Sequence, residues 1–215
     1  MIGKGKSISH GVAALEYDLA KEINGQAVAT EIARHELYGC TGAEMVQEMK
    51  PYHIDFPNVK NNCLRFEVSP SIEESATFTD ADWAELGNDF MQRMGLANHQ
   101  YIIIRHSGTE SKKEQAHLHI LANRVSLSGE LYRDNWIGKK ATEAANAIAK
   151  ERNFVQSQDI GKVNKAEIKE AMDGVLKKMQ GFDFTKFKEE LGKRGFKVRE
   201  ARASTGKLNG YYVTA

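Results

Sequence analysis

The spacing of apolar residues changes period several times along this chain, and the changes mark out its elements. Val12, Leu15, Leu19 and Ile23 recur at three- and four-residue intervals, which predicts a helix over residues 9–22. Residues 27–37 fit a strand and a helix equally. Residues 41–50 read as a short helix, because Thr41 followed by Glu44 has the form of a capping box. Residues 62–69 read as a strand, and residues 79–94 as a helix opened by Thr79-Asp80 and closed by Gly95. Two strands follow, at 101–106 and 116–125, joined by a polar loop over 107–115, and Ser126 to Gly129 turn the chain. Three helical stretches fill most of 134–194, and strand-like segments near 196–202 and 210–214 end it. This order predicts an α+β fold of two layers, a mainly antiparallel central sheet with helices on one face.

Length and composition permit such a fold without staples. The 215 residues are 41% apolar and 27% charged, values of an ordinary soluble protein with a core of its own. No apolar run approaches the ~20 residues that span a bilayer. The opening Met1 to Ser7 carries lysines but no apolar h-region, so it is not read as a secretory signal. Cys40 and Cys63 have neither disulfide-framework nor zinc-finger spacing, which points to a reducing, cytoplasmic setting. The net charge of +1 conceals an asymmetry. Residues 1–138 hold 13 basic against 19 acidic side chains, and residues 139–215 hold 17 against 10. A basic face for nucleic acid fits that distribution, as does a set of solvated amphipathic helices.

The chemistry concentrates in three histidines. In a strand over 116–125, His117 and His119 point to one face while Leu118 and Ile120 point to the other, toward a helix layer. The preceding hairpin returns His106 to the same neighbourhood. Three imidazoles on one open sheet face can hold a divalent metal and leave positions for substrate oxygens and water. The pattern also suits zinc hydrolases and cupins, or three surface histidines with no ligand. Tyr17 adds a second feature. On the first helix it lies about 200° from Leu15 and Leu19, opposite the apolar stripe, with Lys21 and small residues beside it. A tyrosine can snorkel in such a place, or it can act as a covalent nucleophile.

The pieces come in an order that resembles the mobilisation relaxases of the HUH (His-hydrophobe-His) endonuclease superfamily, carried by plasmids and integrative elements. They are Gly3-Lys-Gly-Lys-Ser-Ile8 with Ala14-Leu-Glu-Tyr17; Asn58 to Asn62 leading into Glu67-Val-Ser-Pro70; Gln100 to His106; and His117-Leu-His119 to Val125, then Gly129. The segments 187–195 and 206–211 are similar to the family's last module. The resemblance implies one relaxase nuclease domain over 1–215, with a motif core over about 3–135 and a basic, helix-rich part over about 136–215. Its sheet would be palm-like. Tyr17 would be the nucleophile, and His106, His117 and His119 would hold Mg²⁺ or Mn²⁺. The activity implied is site- and strand-specific nicking and rejoining of DNA at a transfer origin, through a 5′-phosphotyrosyl intermediate. Rolling-circle initiators place the tyrosine after the histidine pair with a lysine three residues on. Here Tyr132, Tyr211 and Tyr212 lack that lysine.

Single-stranded origin DNA would be the main partner, with accessory relaxosome and coupling proteins and no membrane contact. Lys4, Lys6, Lys21 and Arg124 are candidates for phosphate contacts, and Tyr132, Trp136 and Tyr211 for base stacking. Arg65 and Glu67 share one strand face, so Glu67 either supports a metal ligand or forms a cross-strand ion pair. Alternatives that keep part of this chemistry are an origin-binding protein without cleavage, a replication initiator of the same superfamily, and a small-molecule zinc hydrolase.

Overall fold

The computed structural model describes residues 1–108 and 115–214, so most of the polar loop expected over 107–115 lies outside the described residues. Two compact units are present, Met1–Ser157 and Gln158–Ala215. The first is built on a five-stranded sheet in the order β1 (Ile2–Ile8), β5 (Cys63–Ser69), β7 (His117–Ser126), β6 (His99–His106), β4 (Ala29–His35). Every neighbouring pair is antiparallel, as expected for the α+β class. The ambiguous stretch after residue 27 resolves as strand β4, whose alternation is overwritten by arginine and histidine side chains.

No apolar alternation announces β1, yet it pairs residue for residue with β5, from Ile2 opposite Ser69 to Ile8 opposite Cys63. The physical reason lies in α5 (Ile137–Glu151), which packs directly on this strand. A Cβ on Gly3 would stand 2.6 Å from the Ala145 Cβ and closer still to the Ala141 carbonyl. The small residues that weaken the strand signal let the helix approach.

Helix α1 (Gly11–Leu19) is shorter than residues 9–22. Asn24 and Gly25, with φ of 53° and 75°, make the two-residue turn of a small hairpin, β2 (Glu22–Ile23) with β3 (Gln26–Ala27). Ile23 therefore belongs to a strand, and Val12 is 39% exposed. The face that α1 buries is Gly11, Ala14, Leu15 and Asp18. The helix spacing survives, rotated, and it draws in a carboxylate. Helix α2 (Gly42–Met49) starts at the Thr41–Glu44 capping box as expected. After the one-turn α3 (Ile72–Ser75), α4 (Asp80–Arg93) has a capping box of its own, Thr79 with Asp82.

The sheet separates two cores. Leu64, Phe66, Ile103, Leu118 and Ile120 point toward α4 and α5, where they meet Trp83, Leu86, Phe90 and Ile148. Cys63, Ile102, Ile104 and Leu121 point the other way, against Leu15 of α1 and Met45 and Met49 of α2. The α1–α2 pair thus covers part of the histidine-bearing face. In the second unit, α6 (Ser157–Leu176), α7 (Phe184–Lys193) and the ribbon β8 (Lys197–Arg202)–β9 (Leu208–Thr214) enclose Ala171, Val175, Phe187, Leu191 and Val198. Among the described residues, no helix is long and apolar enough to cross a membrane.

Candidate metal centre and nucleophile helix

Register places the histidines. His106 stands opposite His117 across the β6–β7 pair, and Ile104 stands opposite His119. The alternation of β7 puts His117 and His119 on one face, with Leu118 and Ile120 in the core behind them. One nitrogen from each of His106, His117 and His119 lies within 4.8 Å of the others. The Nε2 atoms of His117 and His119 are 3.0 Å apart. His106 and His117 are buried, and the His119 side chain is 12% exposed.

Their proton arrangement follows from their partners. His106 Nε2–H donates to the Asp18 carbonyl at 2.7 Å, and His117 Nδ1–H to the Gln115 carbonyl at 3.2 Å. The Arg65 guanidinium lies 3.3 Å from His119 Nδ1 and has only protons to offer, so that nitrogen accepts. Burial pushes the His119 pKa down to about 2, assisted by His106, His117, Arg65 and Lys4. Burial also lowers the pKa of His106. Both rings are neutral at pH 7, the form that ligates metals. Three imidazoles with no carboxylate among the donors suit a borderline divalent cation, and the donor chemistry fits a metal centre.

A buried acid stands behind this set. Asp18, 2% exposed, grips Arg65 through both carboxylate oxygens, with Arg65 Nε at 3.0 Å from Oδ2. Its Oδ1 lies 3.8 Å from His119 Nδ1. Sequence reading passed over Asp18 because an acid beside a surface tyrosine resembles solvated helix. Its i+3 and i+4 spacing from Leu15 and Ala14 was the available signal. The neighbouring Tyr17 is 56% exposed, and its hydroxyl accepts from Lys21 Nζ at 2.8 Å. That ammonium is also among the charges that lower the His106 pKa.

The sequence profile of the family described as relaxase, MobA/VirD2-like, nuclease domain, matches residues 17–154, more than half of the chain. The chain belongs to that relaxase family. It is therefore a DNA relaxase, and the profile spans the tyrosine and all three histidines. Solved structures of the conjugative relaxase TrwC in complex with oriT DNA are similar over 96% of this relaxase and 74% of their own chains. The metal-bound form has 11% identity and a TM-score of 0.39, the metal-free form 10% and 0.42. At such values the assignment rests on the profile alone. A search of curated proteins found no match.

Beside the histidines, a hollow of about 210 Å³ opens between β1 and β5, lined by Lys4, Lys6, Arg65, Glu67 and His119. Glu67 stands opposite His119 across the β5–β7 pair, but its carboxylate is engaged with Lys4 at 2.8 Å. Among the described residues, the carboxylate nearest the His119 ring nitrogen is that of Asp18. Arg124 lies away from this hollow and donates to the carbonyls of Asn61 and Tyr132 and to Asp134. Of the aromatic candidates, Tyr132 is half-buried against His99 and Tyr211 stacks on Phe184. Trp136 is 80% exposed at a left-handed backbone position, φ 57°.

The relaxase also has a predictable acid response. His119 takes up a proton in the unfolded chain below the ordinary pKa of about 6.5 but not in the fold, and His106 takes one up less readily in the fold than in the unfolded chain. The unfolded state binds more protons, so stability falls as pH drops from about 6.5, approaching ~1.4 kcal/mol per pH unit for His119, with His106 adding in the same direction. Thermal unfolding of chelator-treated protein between pH 7 and 5.5, above most carboxylate titration, should show a declining midpoint. A flat profile would contradict the neutral, buried rings.

Proposed function

We propose that this relaxase nicks and rejoins one strand of DNA at the transfer origin of a plasmid or other mobile element. Tyr17 is the nucleophile, and His106, His117 and His119 hold a divalent cation. The observation that carries this reading is a single junction: Asp18, next to Tyr17 in the chain, meets His106 through its carbonyl and faces His119 through its carboxylate. The nucleophile helix is thereby tied to the metal centre.

The chain's own groups account for the chemistry. Lys21 donates to the Tyr17 oxygen and stabilises its negative charge as the exposed phenol gives up its proton to solvent water. The phenolate attacks phosphorus, the Tyr17 O–P bond forms, and the P–O3′ bond breaks. The departing 3′ oxygen takes up a proton, and the 5′-phosphate remains on Tyr17. Attack by a 3′-hydroxyl reverses these steps and reseals the strand. A cation on the three imidazoles supplies Lewis-acid polarisation of a non-bridging phosphate oxygen. Of the two metals named above, the all-imidazole set favours Mn²⁺, because Mg²⁺ prefers oxygen donors. Lys4 and Lys6 border the hollow beside His119 and are placed to neutralise phosphates of a single strand. Such an enzyme works in the cytoplasm, alongside relaxosome and coupling proteins.

Trp136 is the stacking group this reading selects. Its α5 begins against β1, with Gly138 close to the Gly5 carbonyl, and its indole is not packed in the core. Trp136→Ala should weaken binding of a single-stranded oligonucleotide by about 5- to 150-fold, the ~1–3 kcal/mol of one stacked base. Fluorescence anisotropy measures it, and unchanged affinity removes Trp136 from the interface.

The function itself is tested with a randomised single-stranded DNA library and Mn²⁺. Adducts that survive denaturant are isolated and digested, and mass spectrometry locates the nucleotide. The expected site is Tyr17. Strand cleavage with no protein-linked product, or an adduct on another residue, would overturn the reading.

A further inference from the structure

The proton arrangement around His119 leads to a role for Asp18 that rests on the three-histidine reading above. His119 Nδ1 now accepts from Arg65, which leaves the proton on Nε2, where it donates to His117 Nε2 at 3.0 Å. An imidazole that ligates a cation through Nε2 must carry its proton on Nδ1 instead, and that N–H needs an acceptor. Arg65 cannot serve, since a guanidinium has no acceptor atom. Among the described residues, the only carboxylate oxygen paired with Nδ1 is Asp18 Oδ1, at 3.8 Å.

We propose that Asp18 is the positioning residue of the metal centre: its carboxylate accepts the His119 Nδ1 proton when the Nε2 lone pair turns to the cation. Arg65 then acts as a counterweight. It pairs with the Asp18 carboxylate through Nε and its terminal nitrogen, in competition with His119 Nδ1. It also presents a donor to Nδ1 that favours the other tautomer. Asp18 also fixes His106 through its backbone carbonyl, a contact no side-chain substitution at this position removes. Two of the three ligands are thus oriented from one point on α1, one residue beyond Tyr17.

Isothermal titration with Mn²⁺ tests the assignment on the whole chain, using Asp18→Asn, Arg65→Gln and the double variant, with His117→Ala as the reference for a lost ligand. Asp18→Asn should weaken Mn²⁺ binding by about 10- to 100-fold, the usual loss for a partner that orients a metal-bound histidine. Arg65→Gln should leave the affinity unchanged or tighten it, because a donor and a positive charge leave His119. The double variant carries no unpaired buried charge, which protects the test from misfolding, and it should stay as weak as Asp18→Asn. If Asp18 serves only to neutralise Arg65, the double variant regains wild-type affinity, and the proposal is overturned. It is equally overturned if Asp18→Asn, folded by circular dichroism, binds as wild type does. A wild-type chain whose Mn²⁺ uptake is absent or indifferent to His117→Ala removes the metal centre itself, a failure distinguishable from the other two.

Discussion

Tyr17→Phe is expected to form no denaturant-resistant adduct with single-stranded DNA, and its nicking should fall on the order of 10⁴- to 10⁶-fold, as when a covalent nucleophile is removed. The change deletes one oxygen from a side chain that is 56% exposed and belongs to neither core. Among the described residues, its side chain meets Lys21, through the hydrogen bond to its hydroxyl and the ammonium over its ring. The fold, Mn²⁺ uptake and strand affinity should therefore match the wild type. This separation of effects discriminates between functions. An origin-binding protein that does not cleave gives no adduct in either form, and a zinc hydrolase of small molecules keeps its activity in the variant. Phosphotyrosyl product persisting in Tyr17→Phe would assign the nucleophile elsewhere.

His119→Ala should weaken Mn²⁺ binding by more than about 100-fold, beyond the 10- to 100-fold typical of a lost supporting partner. Nicking at a fixed, sub-saturating Mn²⁺ concentration should fall by at least on the order of 10²-fold, the loss when one stabiliser of developing charge is removed. Added Mn²⁺ should recover part of it, since His106 and His117 remain. His119 is the more demanding choice of the three because its Nε2 meets His117 at 3.0 Å while its Nδ1 faces both Arg65 and Asp18. Calorimetry and a strand-cleavage assay read the two effects separately. Unchanged affinity would place any cation elsewhere, and unchanged nicking with lost affinity would detach the metal from the chemistry.

Two elements show why parts of this site were legible and others were not. His117 and His119 could be placed together from sequence because a strand alternates faces with a period of two, whatever packs around it. His106 followed because β6 and β7 are neighbours in a hairpin, and register then sets it opposite His117. Asp18 could not be placed in the same way. Its partners Arg65, His106 and His119 are 47, 88 and 101 positions away. Nothing in the spacing of α1 says which face turns to the sheet once the helix ends at Leu19. Glu67 drew attention because it shares a face with Arg65, but Lys4 on the unpredicted strand β1 takes its carboxylate.

Local periodicity and capping chemistry, which act over a few residues, were enough to mark the α2 and α4 starts, the paired histidine strands and an outward Tyr17. Contacts between distant segments decided the rest. The β1 edge became a strand because α5 needed Gly3 and Gly5 beneath it. Part of the histidine face was covered because α1 and α2 had Leu15, Met45 and Met49 to bury against Leu121 and Ile102. That burial carried Asp18 inward beside the imidazoles, since hydrophobic contact is non-directional and only the folded packing determines which polar groups travel with it.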